Sequence, residues 1–194
     1  MTQSSKTISI IGGGAWGTAL AQVYARAGRS VTLWARETEV VDSINARHEN
    51  TPFLPGILLH KNLRATGDLA QAAEADILLL VPPAQYLRHT LKALPAATFA
   101  SASLVLCCKG VEIGTGLLPT QIAAEIMPNA DFSVLTGPTF AAEIARGLPA
   151  AVTLAMTDLQ SAKALQQDLG TGDFRPYAAD DPIGAQVGAA IKNV

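Results

Sequence analysis

The sequence predicts an α/β fold in which helices cover both faces of a mainly parallel sheet. Short apolar runs with the pattern of strands alternate with helical stretches along the chain, as in proteins built from strand-helix-strand units. Hydrophobic residues make up 49% of the 194 residues and charged residues only 15%, so a sizeable core can be buried. The third observation is a glycine-rich turn between the first predicted strand and the first predicted helix.

That turn has a spacing typical of dinucleotide binding. The apolar run 7–11 predicts a strand, the stretch 18–27 predicts a helix, and Gly12, Gly14 and Gly17 between them follow the pattern G-x-G-x-x-G. The first glycine permits a tight turn, the second lets backbone approach a pyrophosphate, and the third lets the helix pack close to the strand. Phosphates at such a helix start meet free N–H groups and the positive end of the dipole. The pattern predicts a Rossmann-like, doubly wound fold, although glycine-rich turns also occur without a ligand.

The later elements continue the alternation. Strands are predicted at 30–34, 76–81, 103–107, 132–135, 150–155 and 174–177. Helices are predicted at 37–47, 84–94, 119–126 and 139–146, and also at 159–169, with Asp158 as N-cap, and from Asp180 onward, with Asp181 and Pro182 in the first turn. The segment 48–61 is a long predicted loop, and such loops are often functional, although some are only connectors.

Composition excludes several classes of function. The net charge is −2 without a basic block, so we expect no nucleic-acid partner. No apolar stretch reaches the about 18 to 20 residues that span a bilayer, and no signal-peptide core follows the N-terminus, so a cytoplasmic location is predicted. The three histidines match no metal-ligand spacing, and the adjacent Cys107 and Cys108 are interpreted as small buried side chains rather than a disulfide.

Three further features could carry chemistry. Lys109 follows a predicted strand, and ligands of open α/β sheets bind outside the carboxyl ends of the strands. In the segment 136–143, Gly137 allows close backbone approach and Thr139 can cap the next helix, whose start can hold a phosphate or a carbonyl oxygen. Lys192 follows a face of small residues on the last predicted helix. On pattern alone, each has an ordinary alternative: a solvated lysine, a plain helix cap and an exposed helix end.

Seven segments, taken in order, resemble the bacterial type of NAD(P)-dependent glycerol-3-phosphate dehydrogenase. They are IGGGAWGTALA, LWAR, NTPFLPG, VPPAQYLR, CCKGVE, LTGPTFAAEIARGLPAAV and IGAQVGAAIKNV, and they run from about Ile8 to the last residue. The later segments are the specific ones, because the glycine turn alone indicates only nucleotide binding. The resemblance implies reversible hydride transfer between NAD(P)H and dihydroxyacetone phosphate or sn-glycerol 3-phosphate, a reaction that feeds glycerophospholipid synthesis.

The resemblance also implies roles for individual residues. Lys192 matches the catalytic lysine that accepts the proton during alcohol oxidation, and Lys109 matches a lysine that contacts both substrate and cofactor. A second cation near Lys192, such as Lys109, would help depress the pKa of Lys192, as a base requires, so both lysines are expected to be catalytic. The remaining matches are Ala15, Trp16, Tyr86 and Ala141 toward the cofactor, and Gly137 and Thr139 toward the substrate.

Arg36 bears on the choice of cofactor. Binders of NAD often carry an acidic residue about 20 positions after the glycine turn, whereas an arginine there accommodates the 2′-phosphate of NADP. This chain has Arg36 followed by Glu37, which favours NADP or the use of both cofactors. A guanidinium can also stack on adenine and accept NAD.

The last predicted helix departs from the family pattern at Gln186, where a glutamate is usual, and at Pro182. It continues to residue 194 without a C-cap glycine or polar tail, which predicts a shortened chain, with a fraying terminal helix as the alternative. We expect residues 1–179 to form a dinucleotide-binding domain and residues 180–194 to be the first helix of a truncated, all-helical substrate domain. In the family, that domain supplies an aspartate near the catalytic lysine and an arginine–asparagine pair for the substrate phosphate.

These expectations lead to one interpretation with two rivals. We expect the chain to be weakly active or inactive alone, and a longer enzyme to form a homodimer. One rival is a related Rossmann reductase for another small keto or hydroxy acid. The other is a nucleotide-binding regulatory module without catalysis. A further possibility is that a separate chain completes the site.

Overall fold

In the computed structural model of the protein, the fold is described for residues 6–191. The strands are β1 Ile8–Ile11, β2 Val31–Trp34, β3 Leu63–Thr66, β4 Ile77–Leu80, β5 Ser103–Leu106, β6 Phe132–Thr136, β7 Ala150–Ala155 and β8 Phe174–Ala179. The helices are α1 Ala15–Arg26, α2 Thr38–Arg47, α3 Leu69–Ala72, α4 Ala84–Ala93, α5 Thr98–Ser101, α6 Pro119–Ile126, α7 Ala141–Ala145, α8 Leu159–Leu169 and α9 Pro182–Ile191.

Within the described residues, the strands form one sheet in the order β3-β2-β1-β4-β5-β6-β7-β8. All neighbouring strands are parallel except β6 and β7, which are antiparallel. The chain moves outward from β1 to β2 and β3, then returns to place β4 on the other side of β1. This reversal is the topological switch point of a doubly wound sheet, and ligands bind outside the carboxyl ends of the strands there. The predicted Rossmann-like fold is confirmed.

Both faces of the sheet are buried, because alternate side chains of the central strands enter different hydrophobic clusters. In β1, Ile8 and Ile10 belong to one cluster and Ile11 to the other. The first cluster includes α1 and α7, and there the ring of Tyr24 meets Phe174 edge-on with centroids 6.2 Å apart. The second cluster includes α4 and α6. Continuous apolar strands are typical of such doubly covered sheets.

The structure contains three short elements that the sequence pattern does not predict: β3, α3 and α5. Strand β3 lies at the sheet edge, and only Leu63 and Ala65 of its four residues are buried, so it shows little apolar pattern. Helices α3 and α5 have four residues each, too few for a helical period to appear. The long segment 48–61 precedes β3. Within this segment, Asn50 and Leu54 form an isolated antiparallel β-bridge.

Two predicted helix starts have different outcomes. Asp158 caps α8 as expected, because its carboxylate accepts hydrogen bonds from the backbone N–H groups of Gln160 and Ser161. The prediction that Asp180 caps the last helix is wrong. The carboxylate of Asp181 accepts the backbone N–H of Gly184 at 2.8 Å, directly before α9 begins at Pro182. The expected domain boundary at residues 179 and 180 lies between β8 and α9.

Helix α9 packs against β6, β7 and α6. None of the helices formed by residues 6–191 combines the length and the apolar character that a bilayer span requires.

Candidate functional site

A cavity of about 690 Å³ lies beside the switch point, at the carboxyl ends of β1, β2, β4 and β5. The turn 12–17 forms one wall, and the start of α4 and the start of α7 contribute others. Ten of the residues that the sequence predicts for the site line it: Gly12, Gly14, Ala15, Trp16, Gly17, Arg36, Tyr86, Lys109, Thr139 and Ala141. Lys192 lies outside the described residues.

In the glycine turn, the surroundings of Gly12, Gly14 and Gly17 agree with the role expected for each. Gly12 has a φ of +134°, and a Cβ there would be 3.0 Å from the backbone of Val81. A Cβ on Gly17 would lie 1.9 Å from the carbonyl oxygen of Gly12, so only glycine allows α1 to approach the turn. At Gly14 no neighbouring atom lies within 4 Å of the corresponding Cβ position, and this residue lines the cavity. The open space at Gly14 leaves room for a ligand against the backbone.

Helix α1 begins at this turn without a side-chain cap. Gly14 is its N-cap residue, and the first turn carries no acidic side chain. The first N–H groups of a helix have no acceptor within the helix, and they carry the positive end of its dipole. The start of α1 therefore suits an anionic group such as a pyrophosphate.

Gly13, at a variable position of the motif, is also required by the packing of the turn. A Cβ on Gly13 would lie 2.5 Å from the Cβ of Ala35, just after β2. Gly13 therefore lets the turn pack against the end of the neighbouring strand. The run of three glycines is the only sequence signal for this contact.

Lys109 brings two predicted parts of the site together. Its ammonium group donates a hydrogen bond to the carbonyl oxygen of Gly137 at 3.1 Å. The same nitrogen lies 5.8 Å from the centre of the Trp16 ring, within the range of a cation–π contact. The positive charge thus stands between the helix start of the glycine turn and the segment after β6.

The segment around Lys109 is held by an ion-pair cluster that the sequence analysis does not identify. Arg88 on α4 donates two hydrogen bonds to the carboxylate of Glu112, both at 2.8 Å, and pairs with Glu125 on α6. These bonds from Arg88, helped by the hydroxyl of Thr115, lower the pKa of Glu112 to about 2. Arg88 and Glu112 lie 24 positions apart in the chain, so only the fold reveals the pair.

The two cysteines are buried beside Lys109. Both Cys107 and Cys108 are free and contribute to the cavity wall. Burial raises the pKa of Cys107 well above its usual value and that of Cys108 to about 12. Both thiols therefore stay protonated near neutral pH and are poor nucleophiles.

Thr139 lines the cavity in a role different from the predicted cap. Helix α7 begins at Ala141 with Phe140 as its N-cap residue and without a side-chain cap, so the prediction that Thr139 caps this helix is wrong. The hydroxyl oxygen of Thr139 and Nε1 of Trp16 are both buried, and neither has a hydrogen-bond partner within residues 6–191. Both residues line the cavity, and two polar atoms without partners beside it fit a ligand that carries polar groups of its own.

Arg36 and Tyr86 form another part of the cavity wall. The Arg36 guanidinium lies 5.7 Å from the centre of the Tyr86 ring and donates two hydrogen bonds to the carboxylate of Glu37, at 3.2 and 3.0 Å. The Arg36 side chain is 71% exposed, so its remaining donors face solvent or a ligand. The sequence analysis predicts Arg36 and Tyr86 separately but not their contact.

Gln186 has a structural role in the attachment of α9. Its amide oxygen accepts the backbone N–H of Thr120 at 2.9 Å, and its amide nitrogen donates to the Thr120 hydroxyl and to the carbonyl oxygen of Pro182. These bonds join α9 to the start of α6. Among the described residues, no cluster of three or more His, Cys, Asp or Glu side chains could hold a metal ion.

The arrangement fits a dinucleotide. The turn offers an uncapped helix start and open space for phosphates, the aromatic rings of Trp16, Trp34 and Tyr86 line the same cavity, and Lys109 supplies a positive charge at the carboxyl end of β5. Aromatic and apolar walls with a few placed polar groups are typical of cofactor sites.

Comparison with known proteins agrees with this geometry. Residues 7–162 match the family model described as NAD-dependent glycerol-3-phosphate dehydrogenase N-terminus. The chain is 57% identical, over all of its 194 residues, to glycerol-3-phosphate dehydrogenase (NAD(P)+) of Parvibaculum lavamentivorans. It is 56% identical over 190 residues, or 97% of its length, to the protein of the same name from Paramagnetospirillum magneticum.

A solved structure shows the same fold. The crystal structure of glycerol-3-phosphate dehydrogenase from Coxiella burnetii superposes with a TM-score of 0.86 over 97% of the chain, at 32% identity. The chain spans 58% of the Parvibaculum protein, 69% of the Paramagnetospirillum protein and 58% of the Coxiella chain.

Proposed function

This chain belongs to the family of NAD-dependent glycerol-3-phosphate dehydrogenases, and we propose that it is the cofactor-binding part of an enzyme of that activity. The reaction is reversible hydride transfer between NAD(P)H and dihydroxyacetone phosphate or sn-glycerol 3-phosphate. The observation that carries the proposal is that the open glycine turn and Lys109 line the same cavity. The ammonium group of Lys109 is held there by its hydrogen bond to the carbonyl oxygen of Gly137.

Lys109 is proposed to bind substrate and to stabilise charge. A nicotinamide cofactor supplies the hydride in the direction of carbonyl reduction. The substrate carbonyl oxygen gains negative charge in that step, and a nearby ammonium group stabilises it. The hydrogen bond from Lys109 to Gly137 keeps the ammonium group close to the segment that carries Thr139.

The other residues have proposed roles that rest on their positions at the site or, for Lys192, on the match of its sequence segment to the family. The unpaired hydroxyl of Thr139 and the backbone of Gly137 are assigned to the substrate. Lys192 is assigned as the proton donor in reduction and the proton acceptor in oxidation. The cofactor contacts are assigned to Gly12, Gly14, Ala15, Trp16, Gly17, Arg36, Tyr86, Lys109 and Ala141.

Arg36 supports binding of both NAD and NADP. Its guanidinium lies over Tyr86 at the cavity wall, where it can pair with a 2′-phosphate or lie against an adenine ring. We also propose a cytoplasmic, homodimeric enzyme that supplies glycerol 3-phosphate for glycerophospholipids, with residues 1–179 as the cofactor domain and residues 180–194 as the first helix of the substrate domain.

Fluorescence titration tests the cofactor assignment. Trp16 and Trp34 both line the cavity, so bound NADH or NADPH should quench the protein emission by energy transfer to the nicotinamide. We expect saturable quenching by both cofactors and about tenfold weaker binding by Lys109→Met, the value of one lost charged contact. Lys163→Met, at an exposed position of α8 away from the cavity, is the matched control and should bind like the wild type. A wild-type chain that shows no saturable binding contradicts the proposal.

Substrate choice needs a separate measurement. NADH oxidation is followed with dihydroxyacetone phosphate and, in parallel, with pyruvate, using the chain at high concentration. Oxidation that depends on dihydroxyacetone phosphate and is absent with pyruvate supports the assignment. A preference for pyruvate contradicts it.

A further inference from the structure

Asn50 is a fully buried amide in the long segment 48–61. Two of the three hydrogen-bond partners of its side chain, Gly13 and Phe53, line the candidate site, and the third, Thr18, lies on α1. Its amide nitrogen donates one hydrogen bond to the carbonyl oxygen of Gly13 at 2.8 Å and another to the hydroxyl of Thr18 at 2.7 Å. Its amide oxygen accepts the backbone N–H of Phe53 at 3.2 Å. Both donor hydrogens and one acceptor lone pair of the side chain are therefore used.

These partners bracket the start of α1. Gly13 precedes and Thr18 follows the three residues Ala15, Trp16 and Gly17, whose N–H groups have no acceptor within the helix. A single amide that holds both ends of this turn restricts the direction in which those N–H groups point. Thr18 is also buried, so its hydroxyl has no competing water.

The same amide places the segment that follows it. The N–H of Leu54 donates to the carbonyl oxygen of Asn50 at 2.8 Å, which closes a tight turn around Phe53. The Phe53 ring lines the cavity and is 45% exposed, so it forms a wall rather than part of the core. Further along, Gln22 on α1 bonds the carbonyl of Leu58 and the N–H of His60. The long segment is thus attached to α1 at two levels.

We propose that Asn50 is a positioning residue for the dinucleotide: its amide fixes the glycine turn and the Phe53 wall relative to each other. This inference rests on the proposed function, because it concerns the same cavity. Asn50 acts through the turn and through Phe53 and is not assigned a contact with the ligand. Without the amide, the turn and the wall lose their common anchor, and the N–H groups at the start of α1 meet a pyrophosphate less well aligned.

Asn45, which is exposed, provides a control with the same side chain and a similar number of hydrogen bonds. It is also an asparagine whose amide makes a pair of backbone hydrogen bonds, to the carbonyl oxygen of Ala65 at 2.8 Å and from the N–H of Ala65 at 2.9 Å. Those bonds attach α2 to the edge strand β3 and do not reach the cavity. Asn45→Ala should therefore lower the thermal midpoint without changing the affinity for NADH.

The experiment compares Asn50→Ala with Asn45→Ala and the wild type. NADH and ADP are titrated well below the thermal midpoint of every variant, with tryptophan quenching for NADH and calorimetry for ADP. For Asn50→Ala we expect the Kd of both ligands to rise about tenfold, as for the loss of well-placed buried hydrogen bonds, and for Asn45→Ala we expect a change of about twofold or less. An Asn50→Ala protein that binds both ligands like the wild type overturns the proposal.

A second pair of variants covers the case in which Asn50→Ala does not fold. Thr18→Val removes the hydroxyl that accepts from Asn50, whereas Thr18→Ser keeps it. We expect about threefold weaker NADH binding for Thr18→Val and wild-type affinity for Thr18→Ser. Equal affinity of both variants and the wild type overturns the inference. Failure of the wild type to bind NADH or ADP instead overturns the proposed function.

Discussion

Arg88 and Glu112 form a two-point ion pair, with both nitrogen–oxygen distances 2.8 Å, and Glu112 follows Lys109 by three positions. Gln85, on the same helix as Arg88, holds the backbone on both sides of Glu112 through the carbonyl of Val111 and the N–H of Ile113. Helix α4 thus holds residues 111–113, directly after Lys109, through hydrogen bonds and an ion pair. This support explains how a loop residue keeps its ammonium group on Gly137.

The ion pair between Arg88 and Glu112 should make the free energy of unfolding depend on pH in the acidic range. Arg88 lowers the pKa of Glu112 to about 2, below its unfolded value of about 4.3. The pair therefore stabilises the fold fully above the unfolded value, and this contribution is lost as pH falls toward 2. We expect Glu112→Gln to be less stable than the wild type in urea at pH 7, with the difference shrinking steadily below about pH 4.5. A difference that stays constant with pH would show that the carboxylate charge is not the cause.

The stability of the protein should respond very differently to the same substitution at Gly14 and at Gly17. Gly17→Ala places a methyl group 1.9 Å from the carbonyl oxygen of Gly12, which backbone movement must relieve. We expect a loss of about 3 kcal/mol in the free energy of unfolding, at the upper end for overpacked sites. Gly14→Ala places its methyl group in open space inside the cavity, so stability should change by less than about 1 kcal/mol.

Ligand binding separates the two variants further. The methyl group of Gly14→Ala occupies the space against which a phosphate would lie, so NADH affinity should fall about tenfold or more although the fold is retained. Urea unfolding and NADH titration of both variants measure the two effects. Unchanged affinity in Gly14→Ala would mean that no ligand group approaches this backbone.

The sequence was sufficient for the architecture, because strand and helix patterns are local. It was insufficient for β3, where two buried side chains leave almost no pattern, and for Asn50, whose partners lie 32 and 37 positions earlier in the chain. At Thr139, by contrast, a clear local pattern predicted a role that the structure does not show. A threonine before a helix is a common cap, but α7 begins two residues later, so Thr139 lines the cavity and its buried hydroxyl has no hydrogen-bond partner among the described residues.

The predicted site residues illustrate the same distinction. Lys109, Thr139 and the glycine turn could be named individually from motifs, and the fold brings them to one cavity. The contact between Lys109 and Gly137 spans 28 positions, and that between Arg36 and Tyr86 spans two separate strand-helix units. Spacing along a chain does not reveal such contacts, because they depend on how neighbouring strands are ordered in the sheet.

Gln186 should contribute to stability through the attachment of α9. Replacing it with leucine removes the acceptor for the Thr120 N–H and the donor to the Pro182 carbonyl. Because Gln186 is buried, water cannot fully replace these bonds, and we expect a loss of about 1–3 kcal/mol in the free energy of unfolding. Gln160→Leu on the exposed face of α8 is the control and should change stability by less than about 0.5 kcal/mol. Equal stability of the two variants would contradict a supporting role for Gln186.

Arg36 should decide how strongly the chain prefers one cofactor over the other. Its side chain is 71% exposed and its recorded bonds go to neighbouring Glu37, so Arg36→Ala should leave the thermal midpoint nearly unchanged. If the guanidinium pairs with a 2′-phosphate, the substitution weakens NADPH binding about tenfold and NADH binding much less, because NADH lacks that phosphate. Arg64→Ala on edge strand β3 removes a comparable exposed charge away from the cavity and should alter neither affinity. Parallel titrations with NADH and NADPH measure the ratio, and an equal loss for both cofactors would mean that Arg36 acts only by stacking beside Tyr86.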